Sequence, residues 1–207
     1  MCDRTITEES LADFFRETDV LCTECRSKWK RIGRRTRFAG VPAFLLYEYN
    51  EAFSDCLIQF KECKDEALKP VFLYPDRRRL RWMFRGRTLL LLPSSREKRE
   101  ERGFSHLREM FEILRLPMME PFEKREDRNQ KQSSRKDRLK MERNLVLRSD
   151  ASIPKKVVLA DDVITTGATM RGALACLPRD CDVMVFACAL TPGKEKQKKR
   201  RKRRFLL

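Results

Sequence analysis

Residues 157–170 read Val-Val-Leu-Ala-Asp-Asp-Val-Ile-Thr-Thr-Gly-Ala-Thr-Met. Their order decides the fold. Val157, Val158, Leu159 and Ala160 form an unbroken apolar run that fits a strand buried on both faces. Two carboxylates, Asp161 and Asp162, come where that strand is expected to end. In an open parallel sheet, ligands bind outside the carboxyl ends of the strands. Thr165, Thr166, Gly167, Ala168 and Thr169 then lead into a helix predicted over 168–177. Three hydroxyls, a glycine that lets backbone come close to a ligand, and the free N–H groups of a helix N-terminus make a phosphate cradle. The carboxylates suit sugar hydroxyls, from which they accept hydrogen bonds. Phosphate on one side and a diol on the other describe a ribose 5-phosphate. The plain alternative is a strand with an acidic end and a Thr-rich cap, since both residue types are common there. The length of the run favours the ligand reading.

Working outward, 182–190 reads as a further strand, so strand, helix and strand make a βαβ unit and a parallel sheet. Residues 87–93 are a short buried strand that ends in Pro-Ser-Ser. Residues 44–49 read as a strand and 50–63 as a helix with Phe53, Leu57, Ile58 and Phe60 at roughly helical spacing. Phe104, Leu107, Met110, Phe111 and Leu114 predict an amphipathic helix over 103–115. Residues 123–143 are almost wholly polar and read as a long loop or lid. The fold class is therefore α/β, a twisted and mainly parallel sheet flanked by helices, with a small N-terminal appendage.

The chain has 207 residues, room for one domain with appendages. We divide it into a basic N-terminal segment (1–42), a main domain (43–192) and a basic tail (193–207). The net charge is +16, and half of it lies in 194–204. A like-charge block that dense repels itself, and its natural partners are polyanions such as nucleic acid; a solvated solubility tail is the other reading. Residues 1–10 lack the basic patch and apolar run of a secretory signal. The apolar stretches, 89–93 and 183–190 among them, are far too short to span a bilayer. Both points lead us to expect a cytoplasmic protein without membrane insertion. The eight cysteines include Cys176 and Cys188 inside apolar patterns, which read as small buried hydrophobes.

The 157–170 run resembles the phosphoribosyl pyrophosphate (PRPP) motif of type I phosphoribosyltransferases. Arg102-Gly-Phe104 resembles the RGF signature of the ComF family, as does Tyr49-Asn50 followed by Phe60-Lys61. Arg138 and the pair Cys22/Cys25 also fall where ComF proteins carry an Arg and a CxxC. The resemblance covers most of 20–192. It implies a type I phosphoribosyltransferase-like fold, PRPP binding with Mg²⁺, and a link to natural competence, the uptake of DNA for transformation. It also implies that Ser94 and Ser95 face pyrophosphate. Two departures stand out. The family's two CxxC pairs are reduced to Cys22/Cys25, short of the four ligands structural zinc wants, so zinc is not expected; if a metal were held, these two would be its ligands. The family's RGFNQ is here Arg102-Gly-Phe-Ser-His106.

Arg102 is assigned to a phosphate, because guanidinium binds phosphate oxygens as a bidentate fork. His106, the only histidine, reads as an exposed residue on a charged helix. Trp29 and Trp82 lie among basic residues, where stacking on nucleobases is a known mode of single-strand binding; partial burial is the reading we favour. Two functions follow. One is an enzyme, a Mg²⁺-dependent phosphoribosyltransferase in which Asp161, Asp162 and Arg102 act on PRPP. The other is a non-catalytic scaffold of the same fold that senses nucleotides or binds proteins or single-stranded DNA.

Overall fold

The computed structural model describes residues 21–93, 105–124 and 145–192. Ser94, Ser95, Arg102, Arg138, most of the expected loop and the basic tail lie outside the described residues. Six strands form one sheet: β1 (Arg31–Phe38), β2 (Val41–Glu48), β3 (Thr88–Leu91), β4 (Met118–Met119), β7 (Lys156–Ile164) and β8 (Asp182–Leu190). Their order across the sheet is β1-β2-β8-β7-β3-β4. Only β1 and β2 pair antiparallel; the remaining pairs are parallel. A small antiparallel pair, β5 (Phe122–Lys124) with β6 (Leu145–Leu147), stands apart from it. The helices are α1 (Thr23–Ser27), α2 (Glu51–Glu62), α3 (Arg77–Met83), α4 (His106–Glu112) and α5 (Ala168–Cys176). The architecture is the expected α/β one, and β8 has the predicted bounds.

The central strands are buried because their sequences are apolar on both faces. Val157 to Ala160 and Val185 to Ala189 are at most 0% exposed, as parallel strands covered by helices require. Helix α2 starts at Asn50, whose side-chain oxygen accepts the Phe53 N–H at 3.0 Å, which satisfies an orphan donor of the first turn. Its apolar stripe, Phe53, Cys56, Leu57 and Phe60, is buried at the spacing of one helix face. Phe186 is in register with Phe44 and Ala160. It sits among the rings of Phe44, Phe84 and Phe111, with centroids 6.2, 5.3 and 5.7 Å away.

The described part of the N-terminal segment is packed into this body. Trp29 is 6% exposed and lies against Tyr47, Phe53 and Phe72. Strand β1 turns into β2 through Ala39 and Gly40, both at positive φ, as a two-residue hairpin turn matched to the strand twist demands. The two tryptophans thus differ from the single expectation of partial burial: Trp29 is in the core, while Trp82 on α3 is 73% exposed. Trp82 stands between Arg81 and Met83 on a helix whose one buried residue is Leu80, so the helix packs on the described body through Leu80 and not through the ring.

Candidate functional site

Strand β7 does not stop at the aspartates. It pairs with β3 only as far as Ala160, while its pairing with β8 continues to Val163↔Ala189 and Ile164↔Leu190. Among the described residues, one edge of β7 therefore has no strand partner from Asp161 onward. The two carboxylates lie at the open carboxyl edge of the sheet, yet still on regular strand.

Side chains alternate along a strand, and this separates the aspartates. Asp161 and Val163 line a cleft of about 350 Å³ together with Ile164, Thr165, Thr166, Gly167, Ala168, Thr169 and Met170. Asp162 is 7% exposed. Its Oδ2 forms an ion pair with Lys61 Nζ from α2 and lies 2.8 Å from His106 Nε2 on α4. The structure thus brings Asp161 and the Thr-rich loop into one cavity and sets Asp162 behind it. His106 corrects the sequence reading: it is 5% exposed, because the buried Asp162 carboxylate needs a hydrogen-bonding partner in low dielectric.

The loop itself turns into α5 through a glycine. Gly167 takes φ +74° and begins α5 from the left-handed region, which glycine enters without steric cost. The Ala168 N–H reaches Thr166 Oγ1 at 3.3 Å, and Arg171 Nη1 donates to the Thr166 carbonyl at 3.1 Å. Thr165 and Thr166 are exposed and line the cleft. Phe38, at the tip of the β1–β2 hairpin, closes over Gly167: a Cβ placed there would lie 2.6 Å from the ring.

Electrostatics set the two carboxylates apart. Burial pushes Asp161 well above the ordinary carboxylate range, and the neighbouring Asp162 charge adds to this. Burial pushes Asp162 up as well, but the Lys61 ammonium and the His106 hydrogen bond outweigh it and hold Asp162 below that range. A carboxyl with a raised native pKa binds its proton more tightly in the folded than in the unfolded chain. Its contribution to stability is then lost as pH rises above the unfolded value of about 3.9. Asp161→Asn is therefore expected to melt at a higher temperature than the parent at pH 7 without ligand, with the difference closing toward pH 4. Thermal scans across that range check it; a lower melting temperature at pH 7 would contradict it.

Cys22 and Cys25 are placed elsewhere. Cys22 Sγ accepts the Cys25 N–H at 3.4 Å and caps α1, and Cys25 is buried. Among the described residues no group of three or more His, Cys, Asp or Glu side chains gathers to hold a metal ion. No helix among them is long and apolar enough to cross a membrane.

Sequence reasoning missed Lys61 and His106 as partners of Asp162. A signal was present: two consecutive acidic residues on a strand cannot share a face, so one must meet a cation or a polar partner among the packed helices.

No protein-family model matches the chain. It is similar to the competence protein ComFC of Streptococcus pneumoniae (strain ATCC BAA-255 / R6), 27% identical over 195 residues that span 82% of this chain and 88% of that protein. It is also similar to the competence protein ComFC of Bacillus subtilis (strain 168), 28% identical over 195 residues, 77% of this chain and 78% of that protein. Two matches that run along most of both chains, on a mainly parallel α/β sheet with the acidic strand end and Thr-Gly turn described above, support membership of the ComF family.

Proposed function

We propose that the cleft binds PRPP or another ribose 5-phosphate with Mg²⁺, and that the protein acts in competence, the uptake of DNA for transformation. The observation that carries the binding reading is that Asp161 and the loop from Thr165 to Thr169 line one cavity. The amides at the start of α5 hold the 5-phosphate, with hydroxyls of Thr165, Thr166 and Thr169 beside them. Asp161 accepts hydrogen bonds from the ribose hydroxyls. Fixing the sugar at both ends positions the anomeric carbon, which is how remote binding energy serves group transfer. Mg²⁺ takes oxygen donors and is bound by one or two carboxylates plus ligand phosphates; Asp161 with a pyrophosphate fits that donor set, and the ion would neutralise the leaving charge. The competence role rests on the names of the two relatives.

Calorimetric titration of PRPP tests the reading. The parent protein is expected to bind with Mg²⁺ and Asp161→Asn to bind about tenfold or more weakly, since a hydrogen bond to a charged group contributes roughly 1.5–3 kcal/mol. No heat of binding in the parent would remove the reading. Binding without turnover in the presence of candidate acceptors would favour the non-catalytic scaffold.

A second role on the same fold, binding of single-stranded DNA, is favoured by one observation. Trp82 is exposed on α3 with exposed Arg78, Arg81 and Arg85 around it. An aromatic face flanked by cations suits a nucleobase and its phosphates. Trp82→Ala is expected to weaken binding of a thymidine oligomer by roughly 1–3 kcal/mol, and Arg81→Gln to lower the salt slope by about one. Retention of full affinity in Trp82→Ala, measured by fluorescence anisotropy, would dismiss this face.

A further inference from the structure

Arg171, in the first turn of α5, holds two successive carbonyls of the loop. Its backbone N–H donates to the Gly167 carbonyl at 2.9 Å. Its side chain turns back, and Nη1 donates to the Thr166 carbonyl at 3.1 Å. The ring of Phe38 packs on Gly167 so closely that a Cβ there would meet two of its carbons, at 2.6 and 2.8 Å. Thr166 and Gly167 belong to the lining of the cleft; Arg171 and Phe38 do not. The Thr166 carbonyl is thus drawn toward a side chain that lies outside the lining. A peptide is planar and trans, so its C=O and N–H point in opposite directions, and turning one away from a surface turns the other toward it.

We propose that Arg171, backed by Phe38, locks the peptide between Thr166 and Gly167 with its N–H toward the cleft and its carbonyl oxygen away from it. Both side chains are positioning residues for the phosphate end of the cleft. The inference rests on the ribose 5-phosphate reading and deepens it by naming what keeps the turn in its binding form. The lock is needed because the residue after this peptide is a glycine. A half-turn of the peptide would carry Gly167 from φ +74° to negative φ, which glycine enters about as readily. The flipped turn would offer a phosphate the partial negative charge of a carbonyl oxygen where the locked turn offers an N–H. The guanidinium has an acceptor in the locked turn and loses it in the flipped one, so it shifts the loop toward the binding form before any ligand arrives. A ligand that meets a preformed amide does not spend affinity on turning the peptide.

The test compares the parent with Arg171→Met, Arg171→Lys and Phe38→Leu. Met keeps the alkyl stem and the helix propensity but has no donor, whereas Lys keeps one. Affinity for ribose 5-phosphate with Mg²⁺ is measured beside crystal structures of the ligand-free proteins. Arg171→Met is expected to bind about tenfold more weakly, Arg171→Lys within about threefold of the parent, and Phe38→Leu in between. A tenfold loss by this route leaves only about one tenth of the molecules competent. The ligand-free Arg171→Met crystal is therefore expected to show the peptide flipped, and the Arg171→Lys crystal to show it as in the parent. Weaker binding by Arg171→Met with its peptide still in the parental orientation would mean that the guanidinium acts on the phosphate by its charge, and would overturn the proposal. A flipped peptide with full affinity would overturn it equally. Should Arg171→Met not fold, Phe38→Leu decides by the same two readouts. Absence of binding in the parent would be the failure of the cleft reading itself; the orientation of the peptide in Arg171→Met would then decide the lock, and an unchanged peptide would overturn it.

Discussion

Phe186→Ala is expected to lower the unfolding free energy by about 3–5 kcal/mol, the range for removing a buried phenyl ring from a packed core. Phe186 is 0% exposed and lies at the middle of the sheet on β8, between β2 and β7. Its ring meets Phe44 from β2, Phe111 from α4 and Phe84 just after α3. The lost area is only part of the effect. Phe44 belongs to a strand with fixed partners on both sides, so the walls cannot close on the void, and the residual cavity adds to the transfer term. Urea unfolding followed by tryptophan fluorescence measures it, because Trp29 lies in the neighbouring aromatic cluster. A loss below about 1 kcal/mol would mean that the four rings do not form one core.

Gly167→Ala is expected to abolish ligand binding in the cleft while leaving the sheet folded. Two effects act together. At φ +74° an alanine is in the left-handed region, which costs roughly 1–2 kcal/mol. The new Cβ would also sit 2.6 and 2.8 Å from two ring carbons of Phe38, so either the hairpin tip or the loop must move. The loop carries the Ala168 amide and the Thr166 hydroxyl, and its displacement would remove the proposed phosphate contacts. Two comparisons separate the effects. Gly40→Ala has a similar φ, +87°, but open space around it, so it reports the backbone term alone. Gly167→Ala with Phe38→Ala removes the clash and is expected to recover part of the affinity. Melting curves and ligand titration of the four proteins check this; full binding by Gly167→Ala would contradict the close approach of loop and hairpin.

These two variants also mark what could be read in the sequence. Strands β7 and β8 and helix α5 were legible because each is an apolar run bounded by Thr-Gly or Pro and charged residues, and β8 matches its expected bounds to the residue. The cleft was legible in the order strand, acid pair, Thr-Gly turn, helix. Strand β1 was not. It reads Arg-Ile-Gly-Arg-Arg-Thr-Arg-Phe, a basic edge strand whose partners are all on β2, so neither alternation nor an apolar run announces it. The burial of His106 was not legible either, since it depends on Asp162 and Lys61, which come from two other elements far along the chain. Trp82 went the other way. Its basic neighbours were visible, but only the seven-residue length of α3, packed through Leu80, leaves the ring in solvent.

The acidic pair teaches the more general lesson. Two consecutive aspartates in a ligand motif invite one role for both, yet strand alternation forces one of them onto the packed face. There the physics of a buried charge takes over, and Lys61 and His106 supply what solvent would otherwise provide.

The most direct test is a crystal structure of the protein soaked with ribose 5-phosphate and Mg²⁺. The expected result is a phosphoryl group within hydrogen-bond distance of the amides from Gly167 to Thr169, the ribose hydroxyls on Asp161, and Asp162 still paired with Lys61. A phosphate bound away from this turn, or a cleft that stays empty while the ligand binds elsewhere, would contradict it.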